Sequence, residues 1–138
     1  MTLPLDGIRI LDLTRLLPGG VCTMMLADMG ASIIKVESPD GGDYARLMPP
    51  MAAGQGAIFR ATNQGKRSLV LNLKHERGQA VLRRLVETAD VLVESFRPGV
   101  MARMQCDYDR LRQVNPRLIY CAMTGWGQDG PYAARGGH

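Results

Sequence analysis

The sequence predicts an open, mainly parallel α/β sheet with flanking helices. Short β-type runs alternate with helical stretches along the chain, and no internal repeat or low-complexity linker interrupts the alternation. The first strand, first helix and second strand are compressed into one βαβ unit, which implies parallel strands and a right-handed crossover. The 138 residues, 46% hydrophobic and 22% charged, suit one domain with a real core.

Residues 7–13 read as the first strand, alternating enough to be half buried. Pro18, Gly19 and Gly20 then break the chain, either as a tight strand-to-helix turn or as a set of backbone N–H groups offered to an anion. Residues 21–29 form a helix with Val21, Met24, Met25 and Asp28 at spacings of three and four, capped by Gly30. Its methionines, Met24, Met25 and Met29, read as core filler. Residues 32–36 form the second strand, ended by Ser38, Pro39, Asp40, Gly41 and Gly42. Residues 40–65, with Pro49-Pro50 and several glycines, read as a surface segment holding one short helix. Residues 68–73 are the third strand. Residues 76–89 are the clearest helix, with Val81, Leu82, Leu85, Val86 and Ala89 on one face and Arg83, Arg84 and Glu87 opposite. Residues 90–93 give the fourth strand, 108–114 a helix closed by Asn115-Pro116, and 118–122 the fifth strand. A glycine-rich stretch with no further helix follows. This ending leaves a sheet edge uncovered, so residues 1–138 are expected to be one N-terminal segment of a longer chain.

Composition narrows the function. No apolar run reaches the ~18–20 residues of a membrane span, and residues 1–6 lack the charged start and apolar run of a signal peptide. Cys22, Cys106 and Cys121 are too few and too scattered for a disulfide framework or a zinc site, and all three read as packing residues. The expected setting is reducing and cytoplasmic. A net charge of +4, from 17 Lys+Arg against 13 Asp+Glu, favours a polyanionic ligand. Nucleic acid is a poor fit, because aromatic residues are only 5% and no basic block is interleaved with them.

Open α/β sheets bind ligands at the carboxyl ends of their strands. The residues expected there are Asn72 and Lys74 after the third strand, and Glu94, Ser95, Phe96 and Arg97 after the fourth, with Arg103 a short segment further on. Thr124 and His138 follow the fifth. Cations and an aromatic face at one rim suit a phosphate-bearing nucleotide, although Lys74 and Arg97 also read as solvated surface charges. Gly125-Trp126-Gly127-Gln128-Asp129-Gly130 matches G-x-G-x-x-G only formally, since Pro131, Gly136 and Gly137 deny the helix that a dinucleotide site needs. His75 reads as an exposed residue at a helix start. His138 follows a flexible Gly136-Gly137 approach that can set an imidazole beside a ligand.

Residues 7–15, 26–31, 34–37, 65–68, 71–74, 90–99, 115–120 and 125–132, together with Gly137-His138, resemble the family of class III CoA-transferases and α-methylacyl-CoA racemases. The resemblance covers essentially the whole chain in order. It implies a Rossmann-like N-terminal part of a longer chain and a homodimer of interlocked protomers. Its ligand is an acyl-CoA thioester, bound as substrate, with no tightly held cofactor, no nucleic acid and no membrane. By motif correspondence, Leu71, Asn72, Leu73, Lys74, Ser95, Phe96, Arg97, Arg103 and Gly137 stand where the family holds CoA. Two positions depart from the pattern: Ser38 stands where some members carry arginine, and Gly20 where proline is commoner.

Within the family, transferases use an aspartate nucleophile, and racemases pair an aspartate with a histidine to exchange the proton α to the thioester carbonyl. That aspartate is expected further along than His138. The Gly137-His138 pair resembles the racemase pattern. The reading is therefore a racemase of 2-methylacyl-CoA thioesters with His138 as a catalytic acid–base residue. The alternative is a class III CoA-transferase moving CoA between carboxylic acids, and a third reading is an inactive structural segment of such an enzyme.

Overall fold

The computed structural model describes residues 2–136. In chain order the elements are β1 (Arg9–Leu13), α1 (Leu16–Asp28), β2 (Ser32–Glu37), a 3-10 turn (Tyr44–Leu47), the short strands β3 (Met51–Ala52) and β4 (Gln55–Gly56), and α2 (Ala57–Thr62). Then come β5 (Arg67–Val70), α3 (Glu76–Val86), β6 (Val91–Glu94), α4 (Val100–Arg103), α5 (Tyr108–Val114) and β7 (Ile119–Ala122). Five strands form one parallel sheet in the order β5-β2-β1-β6-β7, while β3 and β4 pair as a separate antiparallel hairpin. The open α/β class read from the sequence is the observed fold. No helix among the described residues is long and apolar enough to cross a membrane.

Both faces of the sheet are covered, so its central strands are buried throughout: Ile10, Leu11, Asp12 and Leu13 of β1 are each at most 2% exposed. Side chains alternate between the faces. Leu11, Leu13, Val36 and Leu92 point into one core with Leu82 and Val86 of α3 and Leu111 of α5. Ile10, Ile33 and Val93 point the other way, into a smaller cluster with Leu26 and Ala27 of α1.

Several sequence expectations change here. Pro18, Gly19 and Gly20 lie inside α1, which begins five residues earlier than its spacing suggests. Proline is tolerated in a first turn because its missing N–H would have no helical partner there. The glycines allow close approach: a Cβ on Gly19 would lie 2.1 Å from Thr14 Cβ, and one on Gly20 3.0 Å from Thr62 Oγ1. α3 ends at Val86, and Val81 is 39% exposed while Leu82 and Val86 are fully buried. β5 stops at Val70; Leu71 and Leu73 leave the sheet, yet both still pack in the main core. Residues 40–65 hold a 3-10 turn and a hairpin besides the short helix. The helix α4 carries no signal that the periodicity reading picked up. Cys106 is buried as expected, but Cys121 is exposed.

Candidate functional site

From β1 the chain steps outward to β2 and β5, then crosses back to set β6 and β7 on the other side of β1. The switch point, where such sheets bind ligands, therefore lies between the carboxyl ends of β1 and β6. The Arg15 N–H bridges it, donating to Ser95 Oγ at 3.0 Å. A cleft opens there with Leu13, Val36, Leu71, Leu73 and Met104 as apolar lining and Thr14, Arg15, Ser38, Gly42, Asn72, Lys74 and Phe96 as other walls. The carboxylate residues Glu37 and Asp43, both paired with cations, also line it.

The expected strand-end residues are partly united in this cleft. Leu71, Asn72, Leu73, Lys74 and Phe96 all line it. Leu73 is only 8% exposed and belongs to the core. Asn72 Oδ1 accepts the Lys74 N–H at 3.1 Å, which fixes the turn that leads Lys74 outward. The Lys74 side chain is 81% exposed and only 3.8 Å from the equally open Asp40, a pair of small worth. Arg97 lines a neighbouring groove of about 510 Å³ with Glu94, Gly99, Tyr108 and Tyr120. Arg103, exposed at the end of α4, reaches over Gly99 at the edge of that groove. Gly137 and His138 lie outside the described residues. His75 is exposed, and its Nδ1 accepts the Arg77 N–H at 3.2 Å as the N-cap of α3. After Gly125 the described chain runs to Gly136 in turns and bends, with no helix to complete a dinucleotide motif. Among the described residues no cluster of His, Cys, Asp or Glu could hold a metal.

Beneath the cleft lies a charged layer that the sequence reading missed. Asp12 is fully buried and accepts from Thr14 N–H (2.9 Å), Thr14 Oγ (2.5 Å), Thr23 Oγ (2.6 Å) and Lys66 Nζ (3.2 Å). Lys66 also donates to Gly20 O, Thr23 Oγ and Asn63 Oδ1. Burial lowers the Lys66 pKa, against the opposing pull of Asp12. Lys35 pairs with Asp43 at 3.0 Å and donates to Thr14 O at 3.0 Å. Glu37 takes both prongs of the Arg46 guanidinium (2.8 and 2.7 Å), the Asp43 N–H and the Ser68 hydroxyl. Burial pushes the Glu37 carboxyl up, but those donors together bring it down to about 2. One signal could have found the layer. Asp12 and Thr14 in and after β1, and Lys35 and Glu37 in β2, alternate with apolar residues and so share one face.

Glu94 closes the carboxyl end of β6. It is buried, and desolvation raises its pKa against hydrogen bonds from the Phe96 N–H (2.7 Å) and the Tyr120 hydroxyl (3.4 Å). Burial, and then the Glu94 charge, raise Tyr120 in turn.

The family model described as CoA-transferase family III matches residues 5–138. The chain belongs to that family. It is 50% identical over 142 residues to the succinate–glutarate CoA-transferase of Agrobacterium fabrum, covering 98% of this chain and 36% of that protein. It is 47% identical over 130 residues to the acetyl-CoA:oxalate CoA-transferase of Acetobacter aceti, covering 94% and 33%. The crystal structure of a CAIB/BAIF family protein from Brucella suis superposes with a TM-score of 0.93 at 43% identity, covering all of this chain and 38% of that one. The chain thus spans about a third of the length of the relatives it matches. These relatives are named as transferases, which corrects the racemase reading. That reading rested on one dipeptide, Gly137-His138, set against identity spread along nearly the whole chain.

Proposed function

We propose that the chain is the CoA-binding part of a class III CoA-transferase that moves CoA between carboxylic acids, dicarboxylates among them. One observation carries the site: Asn72 and Lys74 after β5, and Phe96 after β6, remote from them in sequence, line a single cleft at the switch point, with Arg97 and Arg103 beside it. Such a rim suits CoA chemically. Its phosphates need exposed cations, each charge-assisted contact giving ~1.5–3 kcal/mol, and Phe96 offers a ring face to the rest of the carrier. The names of the relatives, with succinate, glutarate and oxalate among their acids, support dicarboxylic substrates. The interlocked homodimer belongs to the same proposal and is read by light scattering. Three free cysteines fit a reducing compartment, so the proposal places the protein in the cytoplasm.

The test is calorimetric titration of CoA into the protein. Arg97→Ala should weaken binding about tenfold, or about 1.4 kcal/mol, and flatten its dependence on salt. Unchanged affinity and salt slope would remove Arg97 from the site, and no CoA binding by the wild type would remove the site itself.

A further inference from the structure

Among the described residues four arginines, Arg15, Arg46, Arg112 and Arg135, lie against aromatic rings, and the difference between Arg46 and Arg15 is informative. Arg46 sits 4.0 Å from the Phe59 ring centroid, and its fork is filled by the Glu37 carboxylate. The Arg15 guanidinium lies 5.3 Å from the Tyr44 ring and 5.1 Å from the Phe96 ring. One of its nitrogens donates to the Tyr44 hydroxyl at 3.2 Å, and among the described residues no carboxylate pairs with it. It is half-buried and lines the cleft.

The backbone that carries Arg15 is fixed from two sides. Its own N–H is held by Ser95 Oγ across the switch point. The next residue, Leu16, adopts φ +61°, a conformation that a branched side chain rarely takes, and its N–H is held at 3.0 Å by Asp43, itself paired with Lys35. A strained, doubly anchored turn thus presents a planar fork between two aromatic walls, with most of its donors turned to no acceptor among the described residues. That arrangement matches a planar carboxylate, as Glu37 matches Arg46. Lys74, Arg97 and Arg103 already supply exposed cations for phosphates at the rim.

We propose that Arg15 binds the free carboxylate of a dicarboxylic acyl group, and so selects succinyl-type over monocarboxylic thioesters. This rests on the CoA-thioester reading above. The experiment titrates CoA, succinyl-CoA and butyryl-CoA, the last two alike in chain length but ending in carboxylate or methyl. The wild type should prefer succinyl-CoA to butyryl-CoA by tenfold or more. Arg15→Met should bring that ratio near one, and Arg15→Lys, which keeps the charge without the fork, should cut it several-fold. Thermal melts identify a variant that fails to fold, in which case the lysine variant decides. A succinyl preference that survives in the folded variants overturns the proposal. So does a single common factor of weakening for all three ligands, which would make Arg15 a contact to the carrier. Failure of the wild type to bind CoA at all would instead refute the underlying reading, and the role of Arg15 with it.

Discussion

The two faces of the central sheet are held down by different physics. On one, Leu11, Leu13, Val36 and Leu92 meet α3 and α5 in an unbroken apolar core. On the other, the amino half is apolar through Ile10 and Ile33, and only on β6 does an apolar residue, Val93, continue level with Asp12. Towards the carboxyl edge that face changes to Asp12, Lys35 and Glu37, which tie α1, the loop after α2 and the start of the 3-10 turn to the sheet. Apolar packing is non-directional and tolerates adjustment, whereas buried ion pairs stabilise only when each partner is in place. The charged half is the half beneath the cleft. Through Asp43, paired with Lys35, it holds the Leu16 N–H, while Ser95 holds that of Arg15.

The largest effect that separates the faces should come from Asp12. Asp12→Ala leaves the Lys66 ammonium, 1% exposed, without its counter-charge, and the expected loss is about 4 kcal/mol in urea unfolding. Asp12→Leu combined with Lys66→Met should recover most of that loss, since removing both charges also removes their desolvation. If the double variant is as unstable as the single one, the layer is acting through shape rather than charge.

On the apolar face the corresponding change is Leu82→Ala. Leu82 is fully buried, and its truncation should cost about 3 kcal/mol through lost transfer energy and the cavity left behind. Its neighbour Val81 is 39% exposed, so Val81→Ala should fall within about 0.5 kcal/mol of the wild type. Equal losses at both positions would mean that α3 packs with a different face.

This contrast also explains what could be read in advance. Leu82 and Val86 announce themselves because apolar residues at helical spacing mean burial in nearly any context. Val81 sat at the margin of that stripe, and periodicity alone cannot tell the margin from the centre. The charged layer was hidden because its pairs, Asp12 with Lys66 and Lys35 with Asp43, are remote in sequence and become neighbours only through the topology. The start of α1 was missed for a related reason: Gly19 and Gly20 look like a break until their contacts with Thr14 and Thr62 are known. The strand-end residues were legible from topology alone. Arg15 was not, since its significance depends on Tyr44 and Phe96 closing around it.

Glu37 gives the charged face a pH signature that the apolar face lacks. Its folded pKa of about 2 lies below the ordinary 4.5, so the stabilisation it contributes is complete above pH 4.5 and is lost as pH falls towards 2. Arg46 is a quarter exposed, which screens the pair, so the expected loss across that window is about 2 kcal/mol. Glu37→Gln should be less stable than the wild type near neutrality and should flatten this acid limb of the stability profile. An unchanged limb would show that other carboxyls carry it.

The smallest effect tests how the helices on each face begin. α3 and α5, on the apolar face, carry local caps: His75 accepts the Arg77 N–H, and Asp107 accepts the Arg110 N–H at 3.1 Å. α1, on the charged face, has no side-chain cap of its own from Arg15, and its first N–H is satisfied by the distant Asp43. A local cap is separable from the rest of the fold; a remote one is not. Asp107→Ala should therefore cost about 1 kcal/mol, confined to the start of α5. Asp107 also pairs with the Arg110 side chain, but that pair is solvent-exposed and should add little. Asp107→Asn keeps the cap and removes the charge, so it should stay within about 0.5 kcal/mol of the wild type. Asp43→Asn is the matched change at α1 and should cost several times more, because the same carboxylate neutralises Lys35. Comparable losses at Asp43 and Asp107, measured by urea unfolding under one set of conditions, would mean that the remote cap is no more integrated than the local one.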